Sequence, residues 1–250
     1  MDGAILAGEP AVPPGGPFRL EQVDEIGSTS EALKARAVAG AGSEIALLAR
    51  RQTSGHGRLG RPWRSIEGNL HLSVLLRPRT LRWPGHWSIL SAVALADAVR
   101  PYVEGAHNLR LKWPNDVMLK DGKLAGILLE AGFPDPPWLV IGFGVNLAGA
   151  PPGLGRATAC LADVAPAPTP ERFAAGLLDV LQRWRMRYDR EGFAPVRAAW
   201  LAMSHMPGDP VVAGVGERRI AGAFRGLGLD GTLLLDSADG EVAITAGELE

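Results

Sequence analysis

One stretch of the chain, Gln52–Trp63, combines glycines, arginines and a tryptophan in a spacing typical of anion-binding loops. Glycine tolerates positive φ and leaves no Cβ in the way, so the backbone amides of such a loop can turn toward one bound group. Arg58 and Arg61 add permanent positive charge and planar donors that fit carboxylate or phosphate oxygens. The stretch therefore predicts a loop that closes over an anionic ligand, with a solvated glycine-rich surface loop as the alternative.

A second stretch reads K-W-P-N-D-V-M-L-K-D-G-K-L-A-G and holds three of the four lysines of the chain. A lysine ammonium can neutralise charge that develops on phosphate oxygens. Asp116 is a candidate Mg²⁺ ligand, because this ion prefers carboxylate, phosphate and water oxygens. The sequence favours a solvated surface hairpin for Lys120 and Asp121, and a functional role for Lys112, Asp116 and Lys123 beside the break in the strand.

The composition excludes several classes of protein. A formal net charge of −1 over 250 residues gives no polyelectrolyte basis for binding DNA or RNA. The single cysteine, Cys160, excludes an intrachain disulfide framework and a multi-cysteine metal site. The apolar run Trp87–Val99 is too short to span a bilayer, and residues 1–17 read as a flexible leader rather than a signal peptide. We therefore expect a soluble, cytoplasmic protein with no membrane association.

The elements predicted from periodicity place the glycine loop between strands. Loosely alternating residues Phe18–Ile26 and the apolar run Ile45–Ala49 predict two strands. Ser28, with Glu31 three residues later, predicts a capped helix between them. A further strand, Leu70–Leu76, follows the loop. Binding loops are common in such positions, because the scaffold on either side is rigid.

The rest of the chain completes an α+β pattern. In chain order it predicts a helix Trp87–Val103, strands Leu109–Trp113, Val117–Leu119, Lys123–Ala131 and Trp138–Leu147, a helix capped by Thr169 that ends near Tyr188, and a helix Phe193–Met203. From about Pro207, short alternating runs separated by Gly and Asp-Gly turns predict a small all-β module. Alternate glycines in the strand Trp138–Leu147 indicate close approach of a ligand or another backbone.

Four motifs, taken in this order, resemble those of the bacterial biotin–protein ligases. They are the Ser-Thr pair before the first helix, the loop G-H-G-R-L-G-R-P-W, the stretch K-W-P-N-D with the following K-L-A-G-I-L, and G-F-G-V-N at Gly142–Asn146. The resemblance runs from about Phe18 to the end of the sequence. One such motif alone is weak, whereas four in the family's order are specific.

The resemblance implies a mixed-sheet catalytic domain related to class II aminoacyl-tRNA synthetases at residues 18–204, followed by an SH3-like β-barrel at residues 205–250. It implies ATP, Mg²⁺ and biotin as ligands. Biotin would be activated to biotinyl-5′-AMP and then transferred to a lysine of a biotin carboxyl carrier domain of a carboxylase. The short leader leaves no room for the DNA-binding domain of the repressor members, so DNA binding is not expected, and a homodimer stays open.

The resemblance also assigns residues to the site. The catalytic residues would be Arg58, Lys123 and Arg61, with Arg61 on the nucleotide or pyrophosphate side. Biotin would contact Ser28, Thr29, Gln52, Gly55, His56, Gly57, Arg58, Lys123 and Gly126, with Trp63 and Trp113 as nearby walls. ATP would contact Arg58, Arg61, Trp63, Lys112, Asn115 and Asn146, and Asp116 would bind Mg²⁺.

Two positions depart from the family pattern. His56 stands where the family usually has arginine, which puts ATP binding or product retention in doubt if the guanidinium matters. Ser30 stands where asparagine is common, and helix capping is the alternative role for Ser28, Thr29 and Ser30. Two other functions stay open, a lipoate–protein ligase-like adenylating enzyme and a non-catalytic biotin-binding protein.

Overall fold

A computed structural model describes residues 16–103, 109–133, 136–153, 155, 157–215 and 218–249. This part of the chain forms two β-sheets and four α-helices. The leader predicted at residues 1–17 lies outside the described residues except for its last two.

The larger sheet has seven strands in the order β1-β2-β3-β7-β6-β5-β4. Strands β1 and β2 run parallel and the other neighbouring pairs are antiparallel, so the sheet is mixed as expected. The strands are β1 Arg19–Ile26, β2 Ile45–Gln52, β3 Leu70–Leu76, β4 Leu109–Lys112, β5 Asp116–Leu119, β6 Gly122–Gly132 and β7 Trp138–Val145.

Both faces of this sheet are covered, which explains the continuous apolar run in β2. Alternate residues of that strand enter two separate hydrophobic cores, Ala46 and Leu48 on one face and Ile45, Leu47 and Ala49 on the other. A strand buried on both faces needs apolar side chains at every position. The helices are α1 Thr29–Val38 on the second of these faces, and α2 Pro84–Val99, α3 Pro170–Glu191 and α4 Ala194–Leu201 on the first.

The helix boundaries follow local signals. Thr169 caps α3 by accepting a hydrogen bond from the amide of Arg172 at 3.3 Å, as the sequence indicates. Helix α2 begins and ends earlier than the predicted Trp87–Val103. It ends early because Pro101 cannot continue an α-helical ladder, and Arg100–Tyr102 form a 3₁₀ turn. Within the described residues no helix combines the length and the apolar character needed to cross a membrane.

The smaller sheet has five antiparallel strands in the order β11-β10-β9-β8-β12, as expected for the all-β module. They are β8 Pro210–Val215, β9 Arg218–Leu227, β10 Leu233–Ser237, β11 Gly240–Ile244 and β12 Glu248–Leu249. The sequence does not predict β12, since two residues carry no readable periodicity. Trp200 of α4 and Phe224 of β9 are almost fully buried and belong to the core shared with the larger sheet.

His71 of β3 makes the stability of this fold depend on pH. Burial lowers the pKa of its imidazole to about 4, and the nearby backbone of Ile66 opposes this shift only in part. Among the described residues neither ring nitrogen finds a hydrogen-bond partner of ordinary geometry. The folded protein therefore keeps His71 neutral, whereas the unfolded chain protonates it near pH 6.5. We expect the free energy of unfolding to fall by up to about 3 kcal/mol as the pH drops from about 6.5 to about 4.

Urea titrations across this pH window measure the effect. The variant His71→Phe keeps an aromatic ring and removes the titrating group, so its stability should depend less steeply on pH than that of the wild type. All other titratable groups are common to both proteins, so the difference between the two slopes isolates His71. Identical slopes would show that His71 is not the group responsible.

Candidate active site

A cleft lies on the face of the larger sheet that carries α1, and both sequence motifs contribute to it. With the solvent at its mouth included, the cleft holds about 700 Å³ of empty space. Its walls come from the start of α1, the glycine loop after β2, the strands β3, β5, β6 and β7, and β12. The predicted site residues that line it are Ser28, Thr29, Gln52, His56, Gly57, Arg58, Arg61, Trp63, Asn115, Asp116, Lys123 and Gly126.

Four of the predicted residues lie elsewhere. Lys112 and Trp113 line a neighbouring groove, and Trp113 is buried in the core with its indole N–H donated to the carbonyl of Gly231 at 3.3 Å. Asn146 is buried and ties neighbouring loops together through hydrogen bonds. Gly55 is not among the residues that line the cleft, and a Cβ built on it would approach within 2.9 Å of the side chain of Gln52.

One end of the cleft is a network of uncharged polar groups. The Oε1 atom of Gln52 accepts hydrogen bonds from the amide of Thr29 at 2.8 Å and from its hydroxyl at 3.0 Å. The hydroxyl of Ser73 lies 2.7 Å from that of Thr29 and 2.9 Å from that of Ser30. Only Ser28 caps α1, because its hydroxyl oxygen accepts a hydrogen bond from the amide of Glu31 at 3.4 Å. The capping interpretation thus holds for Ser28, whereas Thr29 and Ser30 face the cleft.

The other end of the cleft is cationic. The Nζ atom of Lys123 lies 2.5 Å from Oδ1 of Asp116, and the two side chains are 12% and 21% exposed. Arg58 donates to the carbonyl of Gly247 at 3.0 Å and lies 3.5 Å from Oδ1 of Asn115. Burial lowers the pKa of the Arg58 guanidinium, while nearby carboxylates oppose the shift. An arginine side chain nevertheless keeps its positive charge in a folded protein. This end is therefore suited to an anionic ligand.

Two of the backbone amides in the glycine loop form hydrogen bonds within the loop. The amide of Gly57 donates to the carbonyl of Arg61 at 2.7 Å, and that of Trp63 donates to Gly55 at 2.9 Å. These amides are therefore used within the loop itself. Of its three glycines only Gly60, with φ of 71°, occupies the left-handed region. An anion nest in this loop would therefore not include the amides of Gly57 and Trp63, and for the remaining amides it stays a prediction.

The indole of Trp63 rests on glycines of two paired strands. A Cβ on Gly144 would lie 2.4 Å from the indole ring, and one on Gly126 would lie 3.3 Å from it. These two glycines face each other across β6 and β7. On the same strand, a Cβ on Gly142 would meet the hydroxyl of Ser30 at 2.6 Å. The alternate glycines of β7 therefore serve close approach, as the sequence indicates.

Replacing Gly144 by alanine should displace Trp63 from the cleft. A rigid indole cannot yield to a Cβ at 2.4 Å by rotating a flexible end, so the ring and the loop that carries it must shift. We expect the catalytic efficiency of the reaction proposed below to fall roughly tenfold, since a displacement of about 1 Å at a reacting site is costly.

Gly176→Ala is the matched control for this substitution. No atom lies within 4 Å of a Cβ built on Gly176, which sits in α3. The control should keep its activity and gain about 0.5–1 kcal/mol of stability from the better helix former. Unchanged efficiency in Gly144→Ala would show that the position of the indole does not matter.

His56, the departure from the family pattern, turns toward α1. Its Nε2 atom lies 3.4 Å from Oε1 of Glu31, and Glu130 is close by. Lys34 already pairs with both carboxylates, at 2.8 Å and 2.7 Å. The ammonium group of Lys34 thus already supplies the positive charge for the cluster of His56, Glu31 and Glu130. His56 connects the glycine loop to the first helix.

The structure adds ten residues to the lining of the cleft. Seven belong to motifs that the sequence singles out without assigning them a ligand contact, namely Ser30, Pro62, Ile127, Leu128, Gly142, Phe143 and Gly144. Leu72, Ser73 and Glu248 lie outside those motifs, although Ser73 could have been found as a hydroxyl within an otherwise apolar strand. Glu248 carries no local signal.

Comparison with known proteins supports a single family. The family model for the Biotin/lipoate A/B protein ligase family matches residues 24–146. A biotin–[acetyl-CoA-carboxylase] ligase from Paracoccus denitrificans is 38% identical over 212 residues, which cover 81% of this chain and 88% of that protein. A protein of the same name from Mycobacterium tuberculosis is 34% identical over 239 residues, covering 92% and 88%.

Solved structures show the same fold. The biotin protein ligase from Aquifex aeolicus in complex with biotin and ATP superposes with a TM-score of 0.80 at 27% identity. The alignment covers 92% of this chain and 97% of that one. The match extends over both sheets, in agreement with the mixed catalytic sheet and the small antiparallel sheet described above.

Proposed function

The chain belongs to the biotin/lipoate A/B protein ligase family, with biotin–[acetyl-CoA-carboxylase] ligases among its relatives, and from that premise we propose that its cleft activates biotin with ATP. Biotinyl-5′-AMP and pyrophosphate form first, and the biotinyl group then passes to a lysine of a biotin carboxyl carrier domain. The observation that carries the proposal is the division of the cleft into a polar end, at Thr29 and Gln52, and a cationic end, at Arg58, Arg61 and Lys123.

The polar end suits the ureido ring of biotin. That ring presents two N–H donors and one carbonyl acceptor, and the hydroxyls of Thr29 and Ser73 with the amide of Gln52 offer both kinds of partner. Ser28, Gly57 and Gly126 also line the cleft, and Ile127 and Leu128 add apolar surface. Lipoate has no ureido group, so this polar network favours biotin over lipoate.

The cationic end suits the reaction itself. A carboxylate and a triphosphate repel each other, and fixed positive groups bring them together and stabilise charge in the transition state. An oxygen of the biotin carboxylate attacks the α-phosphorus, and the bond from that phosphorus to the bridging oxygen breaks as pyrophosphate leaves with the electron pair. Arg58 and Lys123 would hold the carboxylate and α-phosphate, with Arg61 on the pyrophosphate.

The nucleotide would lie against the loop and the second motif. Trp63 offers an aromatic face and Asn115 a side-chain amide within the cleft, with Lys112 in the adjoining groove. Asn146 would act by fixing the loops around this region. A ligase that consumes ATP also needs access to the cytoplasmic nucleotide pool, so we place the protein in the cytoplasm.

Asp116 fits the requirements of a Mg²⁺ ligand. In nucleotide sites this ion takes one or two carboxylates together with phosphate oxygens. Asp116 lines both the cleft and the adjoining groove, and its Oδ1 atom accepts from Lys123. Its second oxygen is the candidate ligand. The ion, when bound, would neutralise charge on the leaving pyrophosphate.

In the second step the neutral amine of the carrier lysine attacks the carbonyl carbon of the mixed anhydride. A C–N bond forms, the C–O bond to phosphate breaks, AMP leaves with the electron pair, and the nitrogen gives up one proton to solvent. The anhydride must be shielded from water until then, which a loop closed by Trp63 and its glycine platform can provide.

The direct test incubates the protein with ATP, Mg²⁺, biotin and an apo carrier domain, and detects product on a streptavidin blot. Parallel reactions with lipoate and without ATP serve as controls. We expect biotinylated carrier only in the complete biotin reaction. Transfer of lipoate instead, or tight biotin binding in calorimetry without pyrophosphate release, would reject the proposal in favour of a lipoate ligase or a binding protein respectively.

A further inference from the structure

The short strand β12 brings the smaller sheet into the cleft. It lies at one edge of that sheet, paired with β8, and the amide of Leu249 donates to the carbonyl of Trp113 at 3.4 Å. The carbonyl of Gly247 accepts from Arg58 at 3.0 Å. The intervening Glu248 lines both the cleft and the adjoining groove.

Glu248 neutralises the arginines of the glycine loop. Its Oε1 atom pairs with the guanidinium of Arg61 and lies 4.0 Å from that of Arg58. Burial raises the pKa of the Glu248 carboxyl, but the hydrogen bond from Arg61 and the surrounding cations outweigh this and leave it below the usual range. The carboxylate is thus charged and seated where an anionic ligand of the two arginines belongs.

Two of the three cations at this end of the cleft are therefore paired with carboxylates before any ligand arrives. Lys123 pairs with Asp116, and Arg61 pairs with Glu248. The third cation, Arg58, donates to the carbonyl of Gly247 and lies 4.0 Å from Glu248. A triphosphate oxygen that takes the Arg61 donor now paired with Glu248 must displace that carboxylate. The Glu248 side chain is 40% exposed, which gives it a path to solvent.

We infer that Glu248 is a positioning residue for the first half-reaction. In the free protein its carboxylate holds Arg61 and Arg58 and occupies the place that the ATP triphosphate takes on binding. The inference rests on the proposed function, because it assumes ATP as the ligand of Arg61. The smaller sheet thereby keeps the glycine loop ordered over an empty site and competes with the nucleotide for the same groups.

The sign of one measurement separates this role from a structural one. Glu248 pairs with the arginines only in the free protein, and ATP must break that pairing in order to bind. Removing the charge of Glu248 therefore makes the binding of ATP more favourable. In Glu248→Gln the KM for ATP should fall about two- to fivefold, the range expected for one partly exposed ion pair. The KM for biotin should stay unchanged, because the polar end is untouched. Loss of a purely structural contact would instead leave the KM for ATP unchanged or raise it.

Glu241→Gln is the matched control. Glu241 also pairs with an arginine, Arg225, but it lies on β11 at the opposite edge of the same sheet. This control should behave as the wild type. In Glu248→Asp the side chain is shorter but keeps its carboxylate, so the KM for ATP should lie closer to the wild-type value than in Glu248→Gln.

Hydrogen exchange gives a second readout. The amides of residues 55–63 should exchange faster in Glu248→Gln than in the wild type without ligands, and at the same rate once ATP and biotin are bound. A KM for ATP that is unchanged or raised in Glu248→Gln, or equal exchange in the free proteins, overturns the inference. Wild-type protein that releases no pyrophosphate with biotin and ATP rejects the proposed function instead, so the two failures are distinct.

Discussion

Replacing Lys123 by alanine should slow biotin-dependent pyrophosphate release by about 10²- to 10³-fold, the usual cost of removing one preorganised donor from a charged transition state. Lys123 is the lysine that lines the cleft among the described residues, and its side chain is only 12% exposed. Its loss also leaves the carboxylate of Asp116 without its partner at 2.5 Å. An uncompensated negative charge beside the triphosphate should raise the KM for ATP as well.

Two further variants show whether the loss is specific to Lys123. Lys120→Ala removes a lysine from the same hairpin, at an exposed position outside the cleft, and should retain full activity. Lys123→Arg keeps a cation beside Asp116, so the KM for ATP should stay near the wild-type value while the rate does not recover, because a guanidinium does not reproduce the compact ammonium. The comparison uses pyrophosphate release under saturating biotin, and a loss below tenfold in Lys123→Ala contradicts the catalytic assignment.

The parts of the site that the sequence predicts are those encoded in short motifs next to strand ends. The glycine loop directly follows β2. The second motif, residues 112–126, runs from the end of β4 through β5 into β6. A strand fixes where its next few residues go, so residue types within such a motif indicate both place and chemistry. Twelve predicted residues line the cleft for this reason, including Arg58, Asp116 and Lys123.

The sequence is least informative where side-chain direction or tertiary contacts decide which residues reach the cleft. Trp113 and Asp116 belong to one motif, yet Trp113 is buried and donates to Gly231 in the smaller sheet. The β-strand period of two cannot be read through a break in the strand, so the sequence does not show which residues of this motif face the cleft. Thr29 similarly carries a capping signal, but its hydroxyl bonds to Ser73, a residue far along the chain.

The charge balance of the cleft is the least predictable part. Glu248 reaches Arg61 from a strand of two residues, 187 positions along the sequence. No local pattern connects the two, because the contact depends on how the smaller sheet packs against the larger one. The hydrogen bonds within the glycine loop, for instance from Gly57 to Arg61, could not be read from the sequence either.

Replacing Arg58 by glycine should release the adenylate from the site. Arg58 is about one-quarter exposed, projects into the cleft from the loop, and is the guanidinium proposed to hold the carboxylate and α-phosphate. A hydrogen bond to a charged group is worth about 1.5–3 kcal/mol, so the dissociation rate of biotinyl-5′-AMP should rise roughly 10- to 100-fold. The free anhydride would then react with any exposed lysine, and a bystander protein in the mixture should become biotinylated.

Streptavidin blots of the bystander protein and rapid filtration of labelled adenylate measure the two consequences. Arg64→Gly is the matched control, since Arg64 is exposed and does not line the cleft, and it should retain the adenylate as the wild type does. Arg58→Lys keeps the charge but not the planar donors, so its release rate should fall between the wild type and Arg58→Gly. Adenylate retained at the wild-type rate in Arg58→Gly would mean that retention depends on Lys123 and the closed loop rather than on this guanidinium.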